Sequence, residues 1–98
     1  MHVLIQYRVK KDRIDEQKAA IRAFVAAIDA MDDSGIEYSS FQLPDEVSFK
    51  HVVRLADEAA KTRLQSQPFF QQFATELDDR CDEEAEATPL TLVASTRS

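Results

Sequence analysis

The side chain best suited to acid–base chemistry in this sequence is His51, which lies in a segment of alternating apolar and polar residues. Its face of that segment is otherwise apolar and consists of Val47, Phe49, Val53 and Leu55. An imidazole whose pKa is held near neutral by modest burial could act as a general base on an acidic phenol or enol. The other interpretation is a structural histidine, either hydrogen-bonded to a neighbour in the core or placed at the edge of a strand. We therefore take His51 as the candidate catalytic residue, with both interpretations open.

Two tyrosines are candidate substrate-binding residues. Tyr7 belongs to the helix-facing set of an alternating first segment, together with Val3, Ile5 and Val9. Tyr38 can join it from the next strand. A phenolic hydroxyl can donate a hydrogen bond to a ligand while its ring packs. The other interpretation is that each ring only fills the core, with its hydroxyl at the core edge.

Sites for metal ions and phosphates are not predicted. Closed zinc sites usually gather four Cys or His ligands, whereas the only such residues here are His2, His51 and Cys81. The acidic run from Asp78 to Glu86 lacks the glycine turn and alternating ligands of a calcium loop, so we expect a solvated helix end. One glycine cannot build a phosphate-binding loop. We therefore expect no metal and no cofactor.

The charge of the chain argues against two classes of partner. Twelve Lys and Arg stand against 18 Asp and Glu, a formal net charge of −6, and no basic stripe offsets it. Such a chain is a poor binder of nucleic acid and of anionic membranes. No apolar run could span a bilayer, and no signal segment opens the chain. The single cysteine suits a reducing compartment, so we expect a cytoplasmic protein.

The elements that position these residues follow from hydrophobic periodicity. Alternation predicts a first strand over residues 3–9. Asp12 is expected to cap a long amphipathic helix whose apolar stripe is interrupted by Lys18 alone. That stripe consists of Ile14, Ile21, Phe24, Val25, Ile28 and Met31. Gly35 follows, in a position typical of a left-handed residue that closes a helix or enters a strand.

A hairpin is predicted in the middle of the chain. Residues 36–43 and 47–55 form its strands, and Leu43-Pro44-Asp45-Glu46 joins them. Proline and aspartate suit the central positions of a type I turn.

Two helical segments and a strand are predicted after the hairpin. Asp57 is expected to cap a helical region that Pro68 interrupts, because proline cannot continue a helix. A new helix begins there and buries phenylalanines. Pro89 is expected to end that segment, and residues 90–94 to form the last strand.

The order of elements is therefore β-α-β-β-α-β, which is typical of an α+β, ferredoxin-like sandwich with an antiparallel four-stranded sheet. We expect a single domain over residues 1–98. Two helical regions would cover one face of the sheet and leave the other open, with Leu4 and Val52 on it. A second copy of the chain would bury that face, so we expect a homodimer.

Four segments carry a resemblance to a known family. They are Tyr7-Arg8-Val9-Lys10, the Ala-rich helix, Asp57-Glu58-Ala59-Ala60 and Leu64-Gln65-Ser66-Gln67-Pro68-Phe69-Phe70. In these segments the chain resembles the antibiotic biosynthesis monooxygenase-like family of the dimeric α/β-barrel superfamily. The resemblance implies that two sheets pack face to face as a barrel, with a pocket between each sheet and its own helices. It also implies that His51 points into this pocket.

The chain departs from the family pattern in three ways. Leu55 stands where family members often carry Trp, and Arg63 stands where many carry His. Arg63 could bind a substrate carboxylate or enolate through two hydrogen bonds, or could be a solvated helix residue. The chain also has neither Trp nor Asn, so it cannot assemble the Asn, Trp and His set of the haem-degrading members.

Two functions of different classes remain. The resemblance implies a cofactor-independent monooxygenase or isomerase acting on a small aromatic or enolic molecule. In that enzyme His51 is the base, and Tyr7 and Arg63 stabilise the developing charge. The alternative is a non-catalytic dimer that binds a small hydrophobic ligand or is only a packed core. A cavity of a few hundred cubic ångströms that reaches His51 would favour chemistry or ligand binding.

Overall fold

The structure, a computed structural model, describes residues 1–96. These residues form an antiparallel sheet with the strand order β2-β3-β1-β4. The strands are β1 (His2–Arg8), β2 (Ile36–Gln42), β3 (Ser48–Leu55) and β4 (Glu86–Leu90). The helices are α1 (Ile14–Ala30), α2 (Glu58–Gln65) and α3 (Pro68–Arg80). The predicted α+β, ferredoxin-like order is confirmed, with the second helical region divided into α2 and α3.

The helices pack on one face of the sheet, because alternate strand residues are apolar there. Tyr7, Phe49, Val53 and Leu55 from the sheet are buried against Phe24 and other side chains of the helices. The helix side of this core consists of Ile21, Phe24, Ile28, Ala60, Leu64, Phe73 and Leu77. The opposite face carries Leu4 and Val52, as predicted, and the register places them directly across from each other. We call these the covered face and the open face.

Local signals for the hairpin and for α2 are confirmed. The Glu46 amide donates to the Leu43 carbonyl at 2.9 Å, which closes the predicted turn. The Asp57 side chain accepts from the Ala60 amide at 2.9 Å and so caps α2. Pro68 begins α3 at a position where its missing N–H costs no hydrogen bond.

The predicted position of the last strand is wrong. Residues 90–94 were expected to form it, but β4 spans Glu86–Leu90 and pairs with β1 only. Pro89 does not precede the strand; it lies in it, opposite Val3. Because β4 is an edge strand, Pro89 can be accommodated without loss of a ladder hydrogen bond.

Two further expectations about helix α1 are corrected. Asp12 does not cap it: Lys11–Arg13 form a 3₁₀ turn, and Arg13 takes the capping position without a side-chain hydrogen bond. Gly35 is not left-handed; Asp32 is, with a φ of 51°. Gly35 is closely packed: a Cβ at this position would lie 3.2 Å from the Asp33 carboxylate and 3.3 Å from Cβ of Ala56, so these neighbours would have to move by a few tenths of an ångström.

Candidate functional site

Five buried or partly buried polar side chains meet between the sheet and the helices. They are Tyr7 on β1, Gln17 on α1, Tyr38 on β2, His51 on β3 and Arg80 at the end of α3. The sheet register brings the strand residues together, because β3 lies between β1 and β2. We call this group the polar cluster.

His51 lies at the centre of the polar cluster and is 1% exposed. Its Nε2 atom is 2.7 Å from the Tyr7 hydroxyl, and its Nδ1 atom is 2.6 Å from the Tyr38 hydroxyl. Burial lowers the pKa of His51 to about 4, rather than the near-neutral value expected from modest burial. The imidazole is therefore neutral at pH 7, and both of its nitrogens have hydrogen-bond partners.

The two tyrosines are neutral donors and acceptors. Burial raises the pKa of both Tyr7 and Tyr38 above the usual value for a phenol. The Tyr7 ring stacks on Phe49, and the Tyr38 and Phe24 rings form a T-shaped pair. The rings thus pack in the core, while the hydroxyls form hydrogen bonds with His51.

Gln17 is a member of the cluster that the sequence analysis missed. It is fully buried, and its side-chain amide nitrogen donates to the Tyr7 hydroxyl at 2.7 Å. The sequence predicts that Lys18 interrupts the apolar stripe of α1, but the buried polar residue is its neighbour Gln17. Gln17 lies four residues before Ile21, on the same helix face as Phe24. That spacing was the available signal.

Arg80 was also missed. It is 3% exposed, and its Nε atom donates to the Gln17 side-chain oxygen at 2.6 Å. Its Nη1 atom lies 3.5 Å from Glu16 and 3.7 Å from Glu76. Its Nη2 atom has no hydrogen-bond partner among residues 1–96. Arg80 follows the buried Leu77 by three residues, which places it on the inner face of α3.

A cavity of about 240 Å³ adjoins the polar cluster. Its walls are largely apolar and include Ile5, Phe24, Phe70, Phe73 and Leu77. Tyr38 and His51 line it as well, and Asp78 and Glu84 are among its charged lining residues. An apolar cavity with a few polar groups is the usual form of a small-molecule site. A larger depression of about 880 Å³ over the Arg8 end of the sheet is lined by many charged side chains.

Arg63 lies outside the polar cluster. Its guanidinium donates to the Asp33 carboxylate at 2.6 and 3.2 Å, and its side chain is half exposed. The ion pair holds the pKa of Asp33 below its usual value. Three of the four residues selected from the sequence are therefore brought together, and Arg63 is engaged elsewhere.

Within residues 1–96, no group of three His, Cys, Asp or Glu side chains could hold a metal ion. The Cys81 thiol is buried, and burial raises its pKa. Among the helices of the described chain, none is long and apolar enough to cross a membrane.

Solved structures share the fold at low sequence identity. A structure named antibiotic biosynthesis monooxygenase has a TM-score of 0.82 at 16% identity, over 95% of this chain and 98% of that one. A protein of Mycobacterium tuberculosis has a TM-score of 0.84 at 14% identity, over 97% and 96%. A mutant of SnoaB, a cofactor-independent oxygenase from Streptomyces nogalater, has 0.79 at 17%, over 99% and 96%.

Sequence comparisons add no further assignment. No protein-family model matches the chain, and no curated protein is significantly similar to it. At these identities the structural likeness concerns the fold. The chain therefore has the ferredoxin-like fold of the structures named antibiotic biosynthesis monooxygenases.

Proposed function

We propose that the chain is a cofactor-independent monooxygenase-like protein that acts on a small aromatic or enolic molecule. The observation that carries this proposal is the apolar cavity of about 240 Å³ with His51 and Tyr38 in its lining. Its phenylalanine walls suit a flat ring. A protein with the same fold, SnoaB, is a cofactor-independent oxygenase.

In this proposal the oxygen of the phenol or enol lies against the Tyr38 hydroxyl, with His51 behind it. Donors that are already in place stabilise the negative charge that develops when such a ligand loses a proton. The resulting electron-rich carbanion can react with dioxygen without a cofactor. At an activated methylene, one oxygen atom becomes a carbonyl, and the other leaves as water with both methylene hydrogens. Tyr7 enters the proposal through His51, and Arg63 does not enter it.

The test combines ligand binding with oxygen consumption. Naphthol binding is measured by calorimetry for the wild type, for Ala74→Phe and for Ala23→Phe. Ala74 lines the cavity, whereas Ala23 is an exposed residue of α1. We expect Ala74→Phe to abolish binding and Ala23→Phe to leave it unchanged. Binding that survives Ala74→Phe would contradict the proposed site.

One observation favours the alternative of a non-catalytic ligand-binding protein. Both nitrogens of His51 are already hydrogen-bonded, and its pKa of about 4 makes it a weak base. An oxygen electrode separates the two functions: naphthol-type ligands that bind without any oxygen uptake support the binding protein. Uptake that disappears in Tyr38→Phe supports the oxygenase.

We also propose that the chain is a cytoplasmic homodimer whose open faces pack together as a barrel. The support is apolar exposure: Val52 and Leu90 lie partly exposed on the open face, and Phe41 is 56% exposed there. A second copy would remove this surface from water. Multi-angle light scattering on the purified chain distinguishes a dimer from a monomer.

A further inference from the structure

The polar cluster forms one continuous hydrogen-bonded chain across the core. Arg80 Nε is 2.6 Å from Gln17 Oε1, and Gln17 Nε2 is 2.7 Å from Tyr7 Oη. Tyr7 Oη is 2.7 Å from His51 Nε2, and His51 Nδ1 is 2.6 Å from Tyr38 Oη. The number of protons on each group decides the direction in which these bonds point.

Arg80 sets the direction at one end. A guanidinium has donors and no acceptor, so the Gln17 atom facing Arg80 Nε must be the carbonyl oxygen. The amide nitrogen of Gln17 then faces Tyr7 and donates to its hydroxyl oxygen. The flipped amide would place two donors against each other at 2.6 Å.

Tyr7 passes the direction on to His51. The Tyr7 hydroxyl receives a hydrogen from Gln17, and its own hydrogen needs an acceptor. Among the described residues, the one other polar atom bonded to it is His51 Nε2. Nε2 is therefore unprotonated. A neutral imidazole then carries its single proton on Nδ1.

Tyr38 is the last member of this series of hydrogen bonds. Its hydroxyl oxygen accepts from His51 Nδ1, so its own hydrogen is left without a partner among residues 1–96. Tyr38 also lines the cavity. A ligand there would meet a hydrogen-bond donor.

We infer that Arg80 and Gln17 are positioning residues that fix the direction of this chain, so that the cavity selects ligands with a buried hydrogen-bond acceptor. The selection of ligands rests on the proposed ligand site, whereas the positioning role of Arg80 and Gln17 does not. The acceptor is a carbonyl, phenolate or enolate oxygen, and molecules that can only donate are disfavoured. A site built for a specific donor or acceptor discriminates strongly, since the wrong partner leaves a buried polar group unpaired.

The energetics of Arg80 support a positioning role. Its guanidinium is almost fully buried, its carboxylate contacts are long, and Nη2 has no partner in the described chain. Burying a charge in this way costs stability that an apolar residue would not cost. The cost is understandable if the group is needed as an obligate donor.

Gln17→Glu is the variant that reverses the direction of the hydrogen bonds from Tyr7 to Tyr38. A carboxylate beside Arg80 accepts hydrogen bonds and donates none. Tyr7 must then donate to residue 17 and accept from His51 Nε2, which moves the imidazole proton. Nδ1 becomes an acceptor for the Tyr38 hydrogen, and the free lone pairs of Tyr38 face the cavity. The change conserves the shape of the side chain.

The direction is measured by ¹⁵N NMR of the imidazole in a His2→Gln background, where His51 is the sole histidine. At neutral pH we expect a protonated Nδ1 and an unprotonated Nε2. In Gln17→Glu the two signals exchange, whereas in Gln71→Glu, an exposed control, they do not. Gln17→Met, which removes the constraint and keeps an apolar side chain of similar length, should populate both tautomers. A proton on Nε2 in the wild type, or an unchanged Nδ1 proton in whichever Gln17 variant folds, would overturn the inference.

Ligand selection is measured with two tricycles of similar size, fluorenone as the acceptor and carbazole as the donor. We expect the wild type to prefer fluorenone by about tenfold, the equivalent of one hydrogen bond, and Gln17→Glu to reverse this order. Equal binding of both tricycles would contradict the inference that the direction of the hydrogen bonds selects the ligand. If the tautomers are as assigned and neither tricycle binds, the positioning of His51 stands and the proposed ligand site fails.

Discussion

The two faces of the sheet are built from the same strands but differ in which kind of side chain they bury and expose. The covered face buries polar groups, His51 and Tyr7 among them, and joins them by hydrogen bonds of 2.6 to 2.7 Å. The open face exposes apolar groups, with Leu4 opposite Val52 at its centre. A buried polar group is tolerated only when it has a hydrogen-bond partner. An exposed apolar side chain indicates an interaction surface only when other apolar side chains lie beside it. The functions proposed for the two faces therefore depend on residues that the usual inside–outside pattern would exclude.

The largest expected contrast is between two phenylalanines of neighbouring strands. Phe49 is 2% exposed on the covered face, whereas Phe41 is 56% exposed on the open face. We expect Phe49→Ala to lower the free energy of unfolding by about 3–5 kcal/mol, the range for a buried Phe, and Phe41→Ala by far less. Urea unfolding at several protein concentrations measures both. Equal losses at the lowest concentration would contradict the contrast.

We expect acid to lower the free energy of unfolding because His51 is buried in its neutral form on the covered face. Its folded-state pKa of about 4 lies below the ordinary 6.5, so the unfolded chain takes up the proton first as the pH falls. The stability of the neutral form is fully present above pH 6.5 and is lost progressively towards pH 4, by about 3 kcal/mol in total.

The measurement compares wild type with His51→Phe by urea unfolding between pH 7 and 4. Carboxylates titrate in both proteins and cancel in the difference, while the lost tyrosine contacts give an offset that is constant with pH. We expect the stability advantage of the wild type to shrink as the pH falls. An advantage that does not change over this range would show that His51 is not held neutral.

A charge on the open face should separate the proposed dimer. Val52→Lys places an ammonium group at the centre of that face, opposite Leu4, and burying it unpaired is unfavourable. We expect the dimer dissociation constant to rise at least about tenfold. Thr62→Lys, on the exposed side of α2, is the matched control. Light scattering that gives the same dissociation constant for Val52→Lys and the wild type would rule out this face as the interface.

The smallest effect is expected at Arg63. Its ion pair with Asp33 is exposed, and exposed pairs contribute little to stability. We expect Arg63→Ala to leave naphthol binding and thermal stability nearly unchanged, whereas Tyr38→Phe weakens binding. Calorimetry on both variants checks this. A loss of binding in Arg63→Ala would return Arg63 to the ligand site.

The fold was predictable from the sequence because periodicity acts over whole elements. The alternation around His51 and the long stripe of α1 each hold several residues, so one unusual residue does not change the pattern. Single-residue signals were weaker. Pro89 predicts the end of a helical segment, but an edge strand can also hold a proline. Only the completed sheet shows which strand is at the edge.

The candidate site was predictable where it lies on strands. His51, Tyr7 and Tyr38 share a face by simple alternation, and their meeting follows from the sheet register. Gln17 and Arg80 were missed because long polar side chains on helices are usually solvated. Their burial depends on how each helix is rotated over the sheet, which is a property of the assembled core. Both nevertheless continue the apolar stripes of their helices, at Ile21 and at Leu77.

The position of Pro89 has a consequence for the behaviour of the protein in concentrated solution. An edge strand can template the addition of another chain, which leads to aggregation. A strand arriving beside β4 would find no N–H donor at Pro89, and the carboxylate of Glu86 would repel acidic neighbours of the same kind. This edge of the sheet is therefore a poor template for a further strand.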